Sequence, residues 1–178
     1  MRDDDAGDVG AVQNAIESRP VSSARIALTK AKALRLEADA IARCPGNVDI
    51  ASESFSSSDV SVALRKHLAK GDRVRLIVAA REMHESRNQA AAVAALAHLG
   101  ADVRFASSTD KLAVGDGAAW IGSANATFPT RATAGMSDWG IETRTADGVA
   151  AIQAAFEDEW NALRSPSPPL PSGGATAK

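Results

Sequence analysis

Residues 107–125 read SSTDKLAVGDGAAWIGSAN, and the fold turns on them. Two short apolar runs flank Asp116-Gly117, a dipeptide that favours the tight turn of a β-hairpin. Side chains two residues apart on a strand share a face. Thr109 and Lys111 are therefore expected to project together from the first strand, and Ser123 and Asn125 from the second. The hairpin would gather two hydroxyls, an ammonium and a carboxamide at one end of a sheet. Leu112, Val114, Trp120 and Ile121 would anchor it in a core. Short polar donors around one cation suit a tetrahedral oxyanion such as phosphate.

The same residues resemble the half-site signature of the phospholipase D superfamily, H-x-K-x4-D followed by G-S-x-N. Lys111-x4-Asp116 and Gly122-Ser123-x-Asn125 match it, and the histidine position holds Thr109. The superfamily includes phospholipases, single-motif bacterial nucleases and members that have lost activity. The resemblance implies an α/β fold, a mixed and largely parallel sheet flanked by helices, equal to one half of the superfamily architecture. It also implies hydrolysis of a phosphodiester in nucleic acid or phospholipid, with no metal or other cofactor. In that scheme two half-sites face each other; one histidine attacks phosphorus and the other protonates the leaving oxygen. A chain with one copy would complete its site by forming a homodimer, or by pairing with a histidine-bearing paralogue.

Residue roles follow from the resemblance by position. Lys111 would neutralise phosphate charge, Asn125 would donate from its amide, and Ser123 would be a supporting hydroxyl. Asp116 would mainly shape the turn. The carboxylate that orients the family's histidine corresponds to Asp138 in the run MSDWG, with Glu142 as the alternative.

Thr109 is the departure with chemical consequences. Imidazole attacks, leaves and shuttles protons near neutral pH. A threonine hydroxyl is a poor nucleophile without an adjacent base, and the Lys111 ammonium should stay protonated on phosphate. The two-histidine route cannot run from this position. Of the other histidines, His67 sits at the edge of an apolar helical stripe and His98 near a helix end. His84 follows a strand, where α/β sites form, and is the one candidate stand-in. Two functional classes remain open: an impaired metal-independent phosphodiesterase, and a non-catalytic module that keeps a phosphate cradle.

The rest of the chain fits a single domain. Its 178 residues are enough for a core, and aromatics are only 4%, so that core rests on Ala, Val, Leu and Ile. A net charge of -2 advertises no global field for nucleic acid, although Arg65, Lys66, Lys70, Arg73 and Arg75 form a local basic cluster. Cys44 is the only cysteine, which excludes an internal disulfide and a cysteine-based metal cluster. No apolar run spans a bilayer. The acidic start MRDDDAGDVG lacks the regions of a secretory signal, so a cytoplasmic location is expected, or export if a leader has been removed.

Patterning predicts a helix over 25–43, a strand over 48–55 and a helix around Val60, Leu64 and Leu68 closed by Gly71. It then predicts a strand over 74–80, a charged loop over 81–88, a helix over 90–99 and a strand over 103–105. After the hairpin come a loop over 128–135, a strand over 139–145 and an amphipathic helix carrying Val149, Ile152, Phe156, Trp160 and Leu163. Alternating strands and helices before the hairpin favour parallel pairing. The expected organisation is a flexible segment over 1–21, a domain over 22–164, and a disordered Pro/Ser/Gly tail over 165–178.

Overall fold

The computed structural model describes residues 24–163. Its elements in chain order are β1 (Arg25–Ala27), α1 (Lys30–Arg43), β2 (Val48–Ser52), α2 (Asp59–Lys70), β3 (Val74–Ala79) and α3 (Ala80–Glu85). They continue with α4 (Arg87–His98), β4 (Asp102–Ala106), β5 (Leu112–Gly115), β6 (Ala118–Gly122), β7 (Gly140–Thr143) and α5 (Ala146–Ala162). The expected terminal segments lie outside the described residues.

The seven strands form one mixed sheet in the order β1-β7-β6-β5-β2-β3-β4. Strands β2, β3 and β4 run parallel. The other four pairings, β1–β7, β2–β5, β5–β6 and β6–β7, are antiparallel. The sheet is thus mixed and flanked by helices, as expected, but it is not largely parallel. The alternation that forced parallel crossovers ends at β4, and from the hairpin onward consecutive strands fold back on their neighbours.

Two expected elements change. Residues 25–27 are an edge strand rather than the first turn of a helix, because Arg25, Ile26 and Ala27 pair with Glu142, Ile141 and Gly140. Helix α1 starts only at Lys30, where Lys30 N–H and Ala31 N–H donate to the Met136 and Ala134 carbonyls at 3.1 and 3.2 Å. Those bonds satisfy donors that a helix start leaves open. The charged stretch 81–88 is not a loop: it holds α3 and the start of α4, with Met83 the buried residue of α3.

The remaining boundaries follow from local chemistry. Ser58 is the extended residue before α2; its N–H donates to the Ser61 hydroxyl, which donates back to the Ser58 carbonyl. Gly71 ends α2 at φ +84°, and Gly117 turns the hairpin at φ +81°, both in the left-handed region that favours glycine.

Each sheet face carries its own core. Helices α1, α2 and α4 cover one face over Ile50, Phe55, Leu76 and Trp120, with Leu64 of α2 in the same core. Helix α5 covers the other over Ala51, Ile77, Leu112, Val114 and Ala119 through Phe156 and Trp160. Register places Ile26, Ile141, Ile121, Leu112, Ala51, Ile77 and Arg104 in one row across all seven strands on the α5 face. Helix α5 packs on β2, β5 and β6. The row emerges beyond it, with Ile121 38% and Ile26 66% exposed.

Candidate functional site

The open end of the hairpin meets the carboxyl ends of β2 and β3. Lys111 immediately precedes β5, and its ammonium reaches Glu53 Oε2 at 3.1 Å, just past the end of β2. The neighbouring Ser54 N–H donates to Asn125 Oδ1 at 3.2 Å. Lys111 and Asn125 are thereby drawn to the same two-residue segment, Glu53-Ser54. The Asn125 carbonyl oxygen is occupied by that bond, which leaves its amide hydrogens as the donors for an anion.

A second tier of bonds holds this segment. Ser54 Oγ donates to Glu82 Oε2 on α3 at 2.8 Å, and Phe55 N–H donates to Gln89 Oε1 on α4 at 3.0 Å. Ser52 Oγ accepts from Ala126 N–H at 2.9 Å, tying β2 to the chain after Asn125. Ser123 is engaged elsewhere. Its hydroxyl donates to Asp138 Oδ1 at 3.0 Å and accepts from Trp139 N–H at 2.9 Å. Ser123 and Asp138 thus close the loop over 123–139 onto β6, and the Ser123 proton is committed to that bond.

The two signature-region glycines beside this loop answer to packing. A Cβ on Gly122 would collide with the Trp139 carbonyl oxygen and the Trp120 indole, and one on Gly140 would collide with the same indole. Trp120 is fully buried, and its ring fits only because both positions lack a side chain.

Thr109 has different neighbours from Lys111 and Asn125. Strand β5 begins only at Leu112, so the alternation expected to align Thr109 with Lys111 does not extend that far. The Thr109 hydroxyl oxygen is shut away from solvent without a hydrogen-bond partner of normal geometry. With Ser108, Asp110 and Glu159 it lines an open cleft of about 300 Å³ at the carboxyl end of α5. Burial raises the Glu159 carboxyl above its ordinary range; the Thr109 hydroxyl works against that shift and the charge of Asp110 adds to it.

The other expected residues are dispersed. Asp116 is in the hairpin turn, at the opposite end of β5 from Lys111 and about 16 Å along the strand. Glu142 is fully buried on β7, where Arg25, Arg43 and Arg144 bind its carboxylate at 2.9–3.0 Å. His84 is exposed on α3. His67 is buried, its ring held by Asp72 Oδ2 at 2.8 Å and the Ile41 carbonyl at 2.9 Å. Cys44 is buried with its thiol on the Ala40 carbonyl, and burial pushes its pKa up to about 11.

Glu53 and Glu82 were not anticipated from the sequence, although both lie at strand ends where α/β sites form. They change the electrostatics. The segment that receives the Lys111 ammonium carries the carboxylate of Glu53 and, across the Ser54 bond, that of Glu82. Exposed Arg81 is bonded to Glu85; that bond and then the charges of Glu85, Glu82 and Glu53 favour its protonated form.

The basic cluster also divides. Arg75 is buried on β3, beneath Phe156 and Trp160 with its guanidinium carbon 4.9 and 5.1 Å from their ring centres. It grips Asp49 through two bonds of 2.6 Å and also binds Glu157 of α5, so it is not a surface contact for a polyanion.

With this geometry, a family model described as "Cardiolipin synthase, PLD-like domain" matches residues 38–160. The chain belongs to the phospholipase D superfamily. The fold is similar to that of Nuc, a phospholipase D family member from Salmonella typhimurium, with TM-score 0.68 and 21% identity over 82% of this chain and 99% of that one. NucT from Helicobacter pylori matches with TM-score 0.64 and 16% identity, covering 79% and 96% of the two chains. TrmBL2, an archaeal chromatin protein, matches with TM-score 0.62 and 12% identity, covering 88% of this chain and 59% of that one. No curated protein sequence matches the chain significantly. Among the described residues no helix is long and apolar enough to cross a membrane.

Proposed function

We propose that this domain binds a phosphodiester of nucleic acid or phospholipid at Lys111 and Asn125 without the two-histidine hydrolysis of its superfamily. The observation that carries this reading is the split within the signature. Lys111 and Asn125 converge on Glu53-Ser54, whereas Thr109 lines the cleft with Glu159. This reading assigns no nucleophilic role to an imidazole: His67 is held in the core by Asp72 and Ile41, and His84 is exposed on α3. A DNA ligand is in keeping with the fold being shared with TrmBL2, described for a novel mode of DNA binding.

The partner in this reading is a second copy of the chain, because one signature supplies one half-site. The uncovered row of Ile26, Ile141 and Ile121 supports such pairing, as do exposed Phe128, Met136 and Trp139 on the loops beside the site.

One observation favours residual hydrolysis as a second reading. A carboxyl raised by burial is a better general base, and Glu159 lies beside Thr109, whose hydroxyl works against that shift. The two readings separate in one assay: hydrolysis of bis-p-nitrophenyl phosphate with chelator present, by the native chain and by Thr109→His. The binding reading expects no turnover by the native chain. Turnover by the native chain that Glu159→Gln abolishes would replace it with the phosphodiesterase reading. Turnover by Thr109→His alone would show that the half-site lacks only its nucleophile.

A further inference from the structure

The Lys111–Glu53 pair occupies the atoms that the proposed ligand needs. An ammonium has three protons to donate, and one is directed at Glu53 Oε2 at 3.1 Å. The pair is neither buried nor fully solvated, with the Lys111 side chain 21% and the Glu53 side chain 41% exposed. A buried pair is fixed by its surroundings, whereas a half-exposed pair exchanges partners at little cost. Glu53 is not needed to hold the segment in place. Ser54, Phe55 and Ser52 already do that through Asn125, Glu82, Gln89 and Ala126. Its carboxylate therefore acts on charge rather than on structure.

We propose that Glu53 sets the specificity of the half-site, as an internal anion that the ligand must displace from Lys111 and that discriminates by ligand charge. The proposal rests on the phosphodiester-binding reading and deepens it. An incoming phosphate must compete with Glu53 and then sit beside it, with Glu82 one hydrogen bond further away across Ser54. Repulsion between fixed charges scales with the charge of the ligand. A diester carries one negative charge and a terminal phosphate close to two near neutral pH. The carboxylate therefore admits an internal diester linkage in preference to a phosphate terminus. In a chain with Thr109 at the position of the motif histidine, such a selector favours the uncleaved backbone over its ends.

The experiment uses the full chain labelled with nitrogen-15 and follows the Asn125 side-chain amide during titration with dimethyl phosphate and, separately, inorganic phosphate at about pH 8. Native protein, Glu53→Gln and Lys111→Ala are compared. Glu53→Gln keeps the size and hydrogen-bonding reach of the side chain while removing its charge, and a half-exposed position tolerates it. It is expected to tighten dimethyl phosphate about threefold and inorganic phosphate about tenfold, in line with an exposed-pair interaction counted once or twice. Lys111→Ala should lose both ligands. If Glu53→Gln changes neither affinity while Lys111→Ala still abolishes binding, the role of Glu53 is overturned and the cradle stands. Equal gains for the two ligands would overturn the charge selection alone. If no ligand shifts Asn125 in native protein or Glu53→Gln, the cradle itself is overturned.

Discussion

Two ion-pair sites on this sheet use the same kinds of residue to opposite ends. On the α5 face, Arg75 is 6% exposed, binds Asp49 through two bonds and Glu157 through others, and lies under two aromatic rings. At the open end of the hairpin, Lys111 makes one bond of 3.1 Å to a carboxylate that is 41% exposed. The first site satisfies a rigid guanidinium from several sides, so any ligand would have to break several bonds at once. The second leaves donors over and faces water. Charge alone does not mark a functional residue; spare hydrogen-bonding capacity at a solvent boundary does.

The comparison breaks most visibly at its buried end. Arg75→Ala leaves Asp49 buried without its cation and should cost about 3–5 kcal/mol of stability, measured by urea unfolding. A loss below about 1 kcal/mol would mean that the cluster is as exchangeable as the hairpin pair.

Glu37 on α1 sharpens the contrast, because it is buried with one carboxyl oxygen unpartnered. Burial raises its pKa from 4.5 to about 8. The folded chain then holds a proton that the unfolded chain has lost, so this group's contribution to stability falls as pH rises from 4.5 to about 8. Thermal unfolding across that window should show a drop of several degrees attributable to this group. Glu37→Gln should flatten the drop and raise stability at the alkaline end. An unchanged slope in the variant would show that the carboxyl has found a partner.

Glu157 runs the opposite way and more weakly. Its bond to Arg75 lowers its pKa, so its contribution is complete above the unfolded carboxyl range and is lost as pH falls through the folded value. Its side chain is 39% exposed, so screening keeps the effect small. Glu157→Gln should lower stability slightly at neutral pH and converge with the native chain in acid, which makes the acid dependence shallower. Smallest of all is Lys111→Ala, expected to alter stability by under about 1 kcal/mol while abolishing the anion binding proposed for it. A larger loss would make Lys111 a structural residue like Arg75.

The hairpin was legible because it rests on a short-range rule, a turn dipeptide. Lys111 and Asn125 lie just outside β5 and β6 and were picked out by the spacing of the signature rather than by strand alternation. What failed depended on partners distant in sequence. Arg75 looked like part of a basic helix end, yet its partners are 26 and 82 residues away. Residues 25–27 looked helical because the alanine-rich pattern of α1 follows them, and only pairing with β7 shows the strand. Helix α3 buries a single apolar residue, so it offered no stripe to detect. Thr109 precedes the start of β5 by three residues, so strand alternation does not fix which way it faces.

The indole of Trp120, wedged against Gly122 and Gly140, bears on how such signatures are interpreted. Replacing the glycine that opens Gly-Ser-x-Asn would first disturb a tryptophan in the core, whatever happens at phosphorus. A protein of this architecture that stopped turning over substrate would still need that residue to stay folded. The fingerprint can therefore outlive the reaction that gave it its name, and a match to it reports the shape of an interior before it reports an activity.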